Sequence, residues 1–243
     1  MYFTLKLRDA LPLLAALALI AAAFLLSPLE ADEPEAAAVF AEGGETLIID
    51  AGHGGADGGA SAADGTVESS LNLAVARRLE ALAGLFGVET LMTRSSEDIS
   101  YPADAGSLRE MKRADQAARL ELINSRPGAV LISIHQNYYP DPRPNGPQVF
   151  YSAVSGSRAL GEAAQALLVE KLCPESRRLA SPADEDIYLM REANCPAILV
   201  ECGFISNAAE LEQLKSGEYQ NKLAAVLLTA YLQYAGTADG MML

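Results

Sequence analysis

Three short, nearly continuous apolar runs constrain this chain more than any other feature: Thr46–Ala51 (TLIIDA), Val130–Ile134 (VLISI) and Ala197–Glu201 (AILVE). Strands buried on both faces read this way, whereas strands with one wet face alternate apolar and polar residues. Amphipathic stretches separate the runs. Leu71, Val75, Leu79, Leu82 and Phe86 recur at helical spacing across Glu68–Phe86, and Gly87 stops the pattern. Ser107–Asn124, Gly156–Leu172 and Tyr219–Tyr234 read as further helices. Val88–Thr93, Gln148–Ser152 and Ile187–Met190 read as further strands. This alternation predicts the α/β class: a single domain with a twisted, largely parallel sheet and helices on both faces. The expected folded domain is 45–236, with a short tail at 237–243.

The N-terminus reads as an address. Lys6 and Arg8 precede Ala10–Leu26, a run without charge, and Ser27 and Pro28 end it. A basic segment before an apolar one marks a signal peptide, and spanning a bilayer takes ~17–25 apolar residues. Residues 1–30 therefore read as a signal peptide or a membrane anchor, with 31–44 as an acidic linker. On either reading the rest is exported. The formal net charge of −14 argues against partners that carry phosphate, so no nucleic-acid role is expected. Trp is absent, which leaves few stacking surfaces. Cys173, Cys195 and Cys202 form no C-x-x-C pair and read as buried free thiols.

The chain has only 2 histidines. His53 follows the first strand, inside the glycine-rich segment Asp50-Ala51-Gly52-His53-Gly54-Gly55-Ala56-Asp57-Gly58-Gly59. His135 follows the third, and Glu201 ends a later one. Glu68 opens the helix after the His53 segment and so returns to the same sheet edge. Ligands of open α/β sheets sit beyond the carboxyl ends of strands, where these four converge. Two imidazoles and a carboxylate are enough to hold zinc with a position left open for water. A second carboxylate could then take a proton from that water and pass it to a leaving amine, the requirements of an amide hydrolase. Each residue also has a structural reading. Glu68 favours its helix dipole, and a lone histidine often serves packing. Glu201 resists such a reading, because a carboxylate buried behind four apolar residues needs a cation or a donor. No G-x-S-x-G or H-E-x-x-H occurs, and the glycine segment lacks the Lys-Ser/Thr of a phosphate loop.

At these residues the sequence resembles the zinc-dependent N-acetylmuramoyl-L-alanine amidases of the amidase-3 type. The matching segments are Ile48–Ala60, Glu68 with Asn72-Leu73, Arg119 and Asn124 ahead of Ile132–Asn137, and Pro196–Asn207. The resemblance implies zinc ligands at His53, Glu68 and His135 and a catalytic glutamate at Glu201. It implies cleavage of the amide between the lactyl group of N-acetylmuramic acid and the L-alanine of the stem peptide. Asn72, Arg119, Asn137 and Asn207 are its candidate substrate contacts. Tyr138–Tyr151 and Asp186–Met190 look like the spore-cortex branch, which prepares muramic-δ-lactam for germination. Gln136 and Cys202 depart from the residues usual there, and neither removes a ligand. Rival readings are a vegetative cell-wall amidase, a zinc carboxypeptidase on the stem peptide and a non-catalytic wall-binding module. The expected partner is peptidoglycan, with an N-terminal membrane tether and an activator protein left open.

Overall fold

The apolar runs form the centre of a six-stranded sheet. A computed structural model describes residues 45–240. The 1–30 address, the 31–44 linker and residues 241–243 lie outside the described residues. In chain order the elements are β1 (Leu47–Ala51), α1 (Glu68–Leu85), β2 (Thr90–Met92), α2 (Leu108–Asn124), β3 (Val130–Asn137) and β4 (Gln148–Tyr151). Then come α3 (Ser157–Leu172), β5 (Ser181–Pro182), α4 (Tyr188–Glu192), β6 (Ala197–Phe204), α5 (Ala208–Lys215) and α6 (Gly217–Gly240).

The sheet order is β2-β1-β3-β6-β4-β5. β2, β1, β3 and β6 are parallel neighbours. β4 pairs antiparallel with β6, and β5 runs parallel to β4. The turn-rich connection from β3 to β4 contains no helix, and a parallel return needs a crossover of a dozen residues or more. The sheet is thus largely parallel, with two strands reversed at one edge.

Successive residues of the central strands point to opposite faces, and both faces are buried. Ile49, Ile132, Ile134, Val200 and Cys202 belong to the core with Leu79 of α1, Leu168 of α3 and Leu227 of α6. Ile48, Leu131, Ala197 and Leu199 belong to a second core with Ile123 of α2 and Leu189 and Met190 of α4. α2 starts with a capping box. Ser107 Oγ accepts from Glu110 N at 3.3 Å, and Glu110 Oε2 accepts from Ser107 N at 2.9 Å. Cys173, Cys195 and Cys202 are buried and free. No helix among the described residues is long and apolar enough to cross a membrane.

Several expectations are corrected. Ile187–Met190 is not a strand. Ile187 caps α4, and Leu189 and Met190 sit in the second core. A four-residue apolar run carries too little period to separate helix from strand. β3 and β6 outlast their apolar runs, reaching Asn137 and Phe204. α6 extends to Gly240, past Tyr234 and into the residues read as a tail. α5 and the two-residue β5 were not expected.

Candidate metal centre

Extension of β3 places His135 inside a strand rather than after one. Its register partner on β6 is Glu201. Partners on adjacent parallel strands project to the same face, so the imidazole and the carboxylate stand side by side. That face continues downward through Ser133, Leu199, Leu131 and Ala197 to the second core.

Glu68, the first residue of α1, is only 4% exposed. Its Oε2 accepts from Ala60 N at 2.9 Å. Its Oε1 accepts from Gln136 N at 3.2 Å and from Asn72 Nδ2 at 3.3 Å. Two histidine nitrogens face the same Oε1: His135 Nδ1 at 3.0 Å and His53 Nε2 at 3.3 Å. The rings lie 4.9 Å apart, edge to face. Among the described residues, His53, Glu68 and His135 form a group able to hold a metal ion, with one donor atom from each all within 4.8 Å of one another.

His53 reaches this point from irregular backbone. Its φ of +60° lies in the left-handed region, which non-glycine residues rarely occupy. Two buried arginines brace the strained segment. Arg94 Nε donates to Ala51 O at 2.8 Å and its Nη2 to Gly52 O at 3.1 Å and Ser69 O at 2.8 Å. Arg119 Nη1 donates to Ala51 O at 2.7 Å and to Asp50 Oδ1 at 2.8 Å, and Nη2 to His53 O at 2.6 Å. Asp50 also accepts from Thr93 Oγ1 at 2.7 Å and Ser133 Oγ at 2.6 Å. Glycine is required where the loop meets the ligands. A Cβ on Gly52 would lie 2.3 Å from His135 Nε2. One on Gly59, at φ +70°, would lie 2.5 Å from Glu68 Oε2.

Burial sets the electrostatics. It pushes the Glu201 carboxyl up to about 7; His135 pulls the other way, and the charge of Glu68 adds to the rise. Glu201 Oε2 is buried without a hydrogen-bond partner among the described residues. Burial also raises Glu68, but its bonds to His135 and His53 outweigh that and hold it well below the carboxylate range. Burial pushes the Asp50 carboxyl up, and Arg119, Ser133 and Thr93 overcome this, holding it at about 2. The Cys202 thiol is driven far up by burial, so it is a packing residue and not a nucleophile. A cleft of about 250 Å³ opens beside Glu201, lined by Gln116, Ser133, Asp186, Tyr188 and Leu189.

Three of the four candidate substrate contacts have side chains engaged inside the protein. Asn72 is fully buried, and its Nδ2 also donates to Gly52 O at 3.0 Å while its Oδ1 accepts from Gln136 Nε2 at 3.1 Å. Gln136 thereby helps to hold the residue that holds Glu68. Arg119 is committed to Asp50, Asp115 and two backbone carbonyls. Asn207 caps α5 and donates to Pro144 O at 3.3 Å. Asn137 ends β3, where its carbonyl accepts from Ile205 N at 2.8 Å. Sequence reasoning missed Arg94, Asp50 and Asp57 as parts of the site. Asp57 carried the one available signal, a carboxylate four residues after His53.

The profile of a protein family described as N-acetylmuramoyl-L-alanine amidase matches residues 47–232. The germination-specific N-acetylmuramoyl-L-alanine amidase of Bacillus subtilis is 32% identical over 193 residues, covering 79% of this chain and 80% of that protein. The N-acetylmuramoyl-L-alanine amidase LytC of the same organism is 31% identical over 194 residues, covering 79% of this chain and 36% of LytC. A solved structure of the CwlD amidase from Clostridioides difficile, in complex with the GerS lipoprotein, aligns with a TM-score of 0.76 at 32% identity, over 79% of this chain and 99% of that one.

Proposed function

The chain belongs to the N-acetylmuramoyl-L-alanine amidase family, and we propose that it works as a zinc enzyme with His53, Glu68 and His135 as ligands and Glu201 as its proton carrier. The reaction is hydrolysis of the amide between N-acetylmuramic acid and the L-alanine of the stem peptide. One observation carries the reading. Three metal-donor atoms of zinc-favouring type lie within 4.8 Å of one another, and the register partner of one of the three residues is a carboxylate whose buried oxygen has no hydrogen-bond partner among the described residues. When bound, zinc supplies Lewis acidity, making water a nucleophile near neutral pH and polarising the carbonyl under attack.

The chain's own residues do the rest. Glu201 accepts a proton from the attacking water. It then gives that proton to the alanine amine as the carbon–nitrogen bond breaks. Burial favours the protonated carboxyl, which suits a group that must take up a proton before passing it on. The cleft lined by Gln116, Asp186 and Tyr188 lies beside Glu201 and would receive the stem peptide. Asn72 and Arg119 act from behind, one on Glu68 and the other on the His53 backbone.

Cell-wall relatives support action outside the cytoplasm, on peptidoglycan. The likeness to a germination-specific amidase and to CwlD supports the spore cortex as the site of action. The CwlD amidase was solved with a lipoprotein, which makes a lipoprotein the candidate protein partner. Residues 1–30 would serve as signal peptide or membrane anchor.

The test is mass spectrometry of vegetative and cortex peptidoglycan after incubation with the purified chain and zinc. Intact stem peptides beginning with L-alanine are expected. A chelator should abolish them, and Glu201→Ala should cut turnover by about 10²–10⁴-fold while keeping zinc. Shortened stems would instead reveal a carboxypeptidase. Binding to sacculi without soluble product would reveal a wall-binding module.

A further inference from the structure

His53 and His135 present nitrogens to one carboxylate oxygen, but only one of them is positioned by a strand. His135 is fixed by the ladder of β3 between β1 and β6. His53 sits at φ +60° on a loop, and its ring could turn about two side-chain bonds. Something must choose which ring nitrogen carries the proton and which faces Glu68. His53 Nδ1 lies 2.9 Å from Asp57 Oδ2, on the side of the ring opposite the Nε2 that faces Glu68.

We propose that Asp57 is a positioning residue for the metal site. It accepts the Nδ1 proton of His53, leaving the Nε2 lone pair free and aimed at the ion, while Lys112 ties Asp57 to α2. The proposal rests on the zinc reading above.

Each part of Asp57 is held. Its backbone pairs with Gly54 in both directions, N to O at 3.0 Å and O from N at 2.7 Å, which closes the loop between His53 and Asp57. Its Oδ1 accepts from Gly59 N at 3.3 Å. Lys112 Nζ lies 2.9 Å from the same Oδ2 that meets His53. Lys112 belongs to the helix that also carries Arg119, the donor to His53 O. One helix therefore fixes both the backbone and, through Asp57, the ring of His53. Metal-binding histidines commonly donate their second nitrogen to a carboxylate, which sets tautomer and orientation. Successive contacts link Lys112 to Asp57, Asp57 to His53 and His53 to Glu68, at 2.9, 2.9 and 3.3 Å.

A purely structural role for Asp57, closing the loop through Gly59, makes a different forecast. The test measures zinc affinity by chelator competition and the His53 tautomer by ¹⁵N NMR, in the wild type, Asp57→Ala and Asp57→Asn. In the wild type, His53 should carry its proton on Nδ1 and the protein should bind one zinc. Asp57→Ala should weaken zinc about 10–100-fold and shift the His53 tautomer. Asp57→Asn keeps the size and the Gly59 contact and should fall between them, which a loop-closing role would not produce. A wild type that binds zinc beside an Asp57→Ala that binds equally well, with His53 unchanged, would overturn this proposal alone. A wild type that takes up no zinc would sink the metal reading and this proposal together.

Discussion

The two halves of the candidate metal centre are built by different means. His135 and Glu201 stand on adjacent strands, and the backbone ladder that aligns them is the same one that holds the sheet together. His53 stands on an irregular loop, and its place is set by side chains reaching in from elsewhere: Arg94 after β2, Arg119 and Lys112 on α2, and Asn72 on α1. The strand half needs no added bracing for its backbone, although it buries the Glu201 carboxyl with one oxygen unpaired among the described residues. The loop half needs buried charge, a residue in the left-handed region and glycines where side chains would collide. In exchange, it brings the His53 imidazole to Glu68, edge to face with His135.

If this contrast is right, the loop half should break more easily. The largest effect is expected from Arg119→Met, which strands the 1%-exposed Asp50 without its cation. Removing one partner of a buried ion pair costs about 3–5 kcal/mol. Urea unfolding should show that loss, together with weaker zinc binding as His53 O loses its donor. A loss under about 1 kcal/mol would refute the bracing role.

Gly52→Ala probes the point where the halves touch. The added methyl must displace the His135 ring, for about 2–3 kcal/mol of overpacking. The expected outcome is a larger drop in melting temperature for the zinc-loaded protein than for the metal-free protein, since the ring moves away from the shared carboxylate. Equal shifts in both states would mean that the loop yields and His135 does not.

A smaller effect comes from acid. Asp50 is held at about 2 in the folded state, below its ordinary 3.8. A depressed carboxylate contributes stability that is present above its unfolded pKa and is lost as pH falls toward the folded one. About 2 kcal/mol should therefore disappear between roughly pH 4 and pH 2. Urea midpoints across that window check it, and Arg119→Met should show a flatter slope.

The strand half was largely legible in the sequence, because long apolar runs betray buried strands and His135 and Glu201 end two of them. Its exact extent was not. Gln136 and Asn137 look like loop residues, yet Gln136 is buried against Asn72 and Glu68, where a polar side chain with partners continues the strand. The loop half showed its ligand but not its supports. Arg94 read as an ordinary charged residue and Arg119 as a substrate contact, since burial and the carbonyls they meet depend on chain crossings tens of residues away. Asn207 read as a substrate contact, although Asn before Ala-Ala-Glu-Leu is also a helix start. α5 was missed for the same reason.

The three thiols bear on where such an enzyme can work. None belongs to the metal set, all are buried, and the nearest to Glu201, Cys202, is wholly enclosed in the core. Thiolates are what react with peroxides and disulfides, and burial here raises all three thiols toward the protonated form. The candidate ligand set of two imidazoles and a carboxylate contains no thiol. Outside the cytoplasm, where no thiol-reducing system serves it, such a site holds no thiolate to be lost to oxidation.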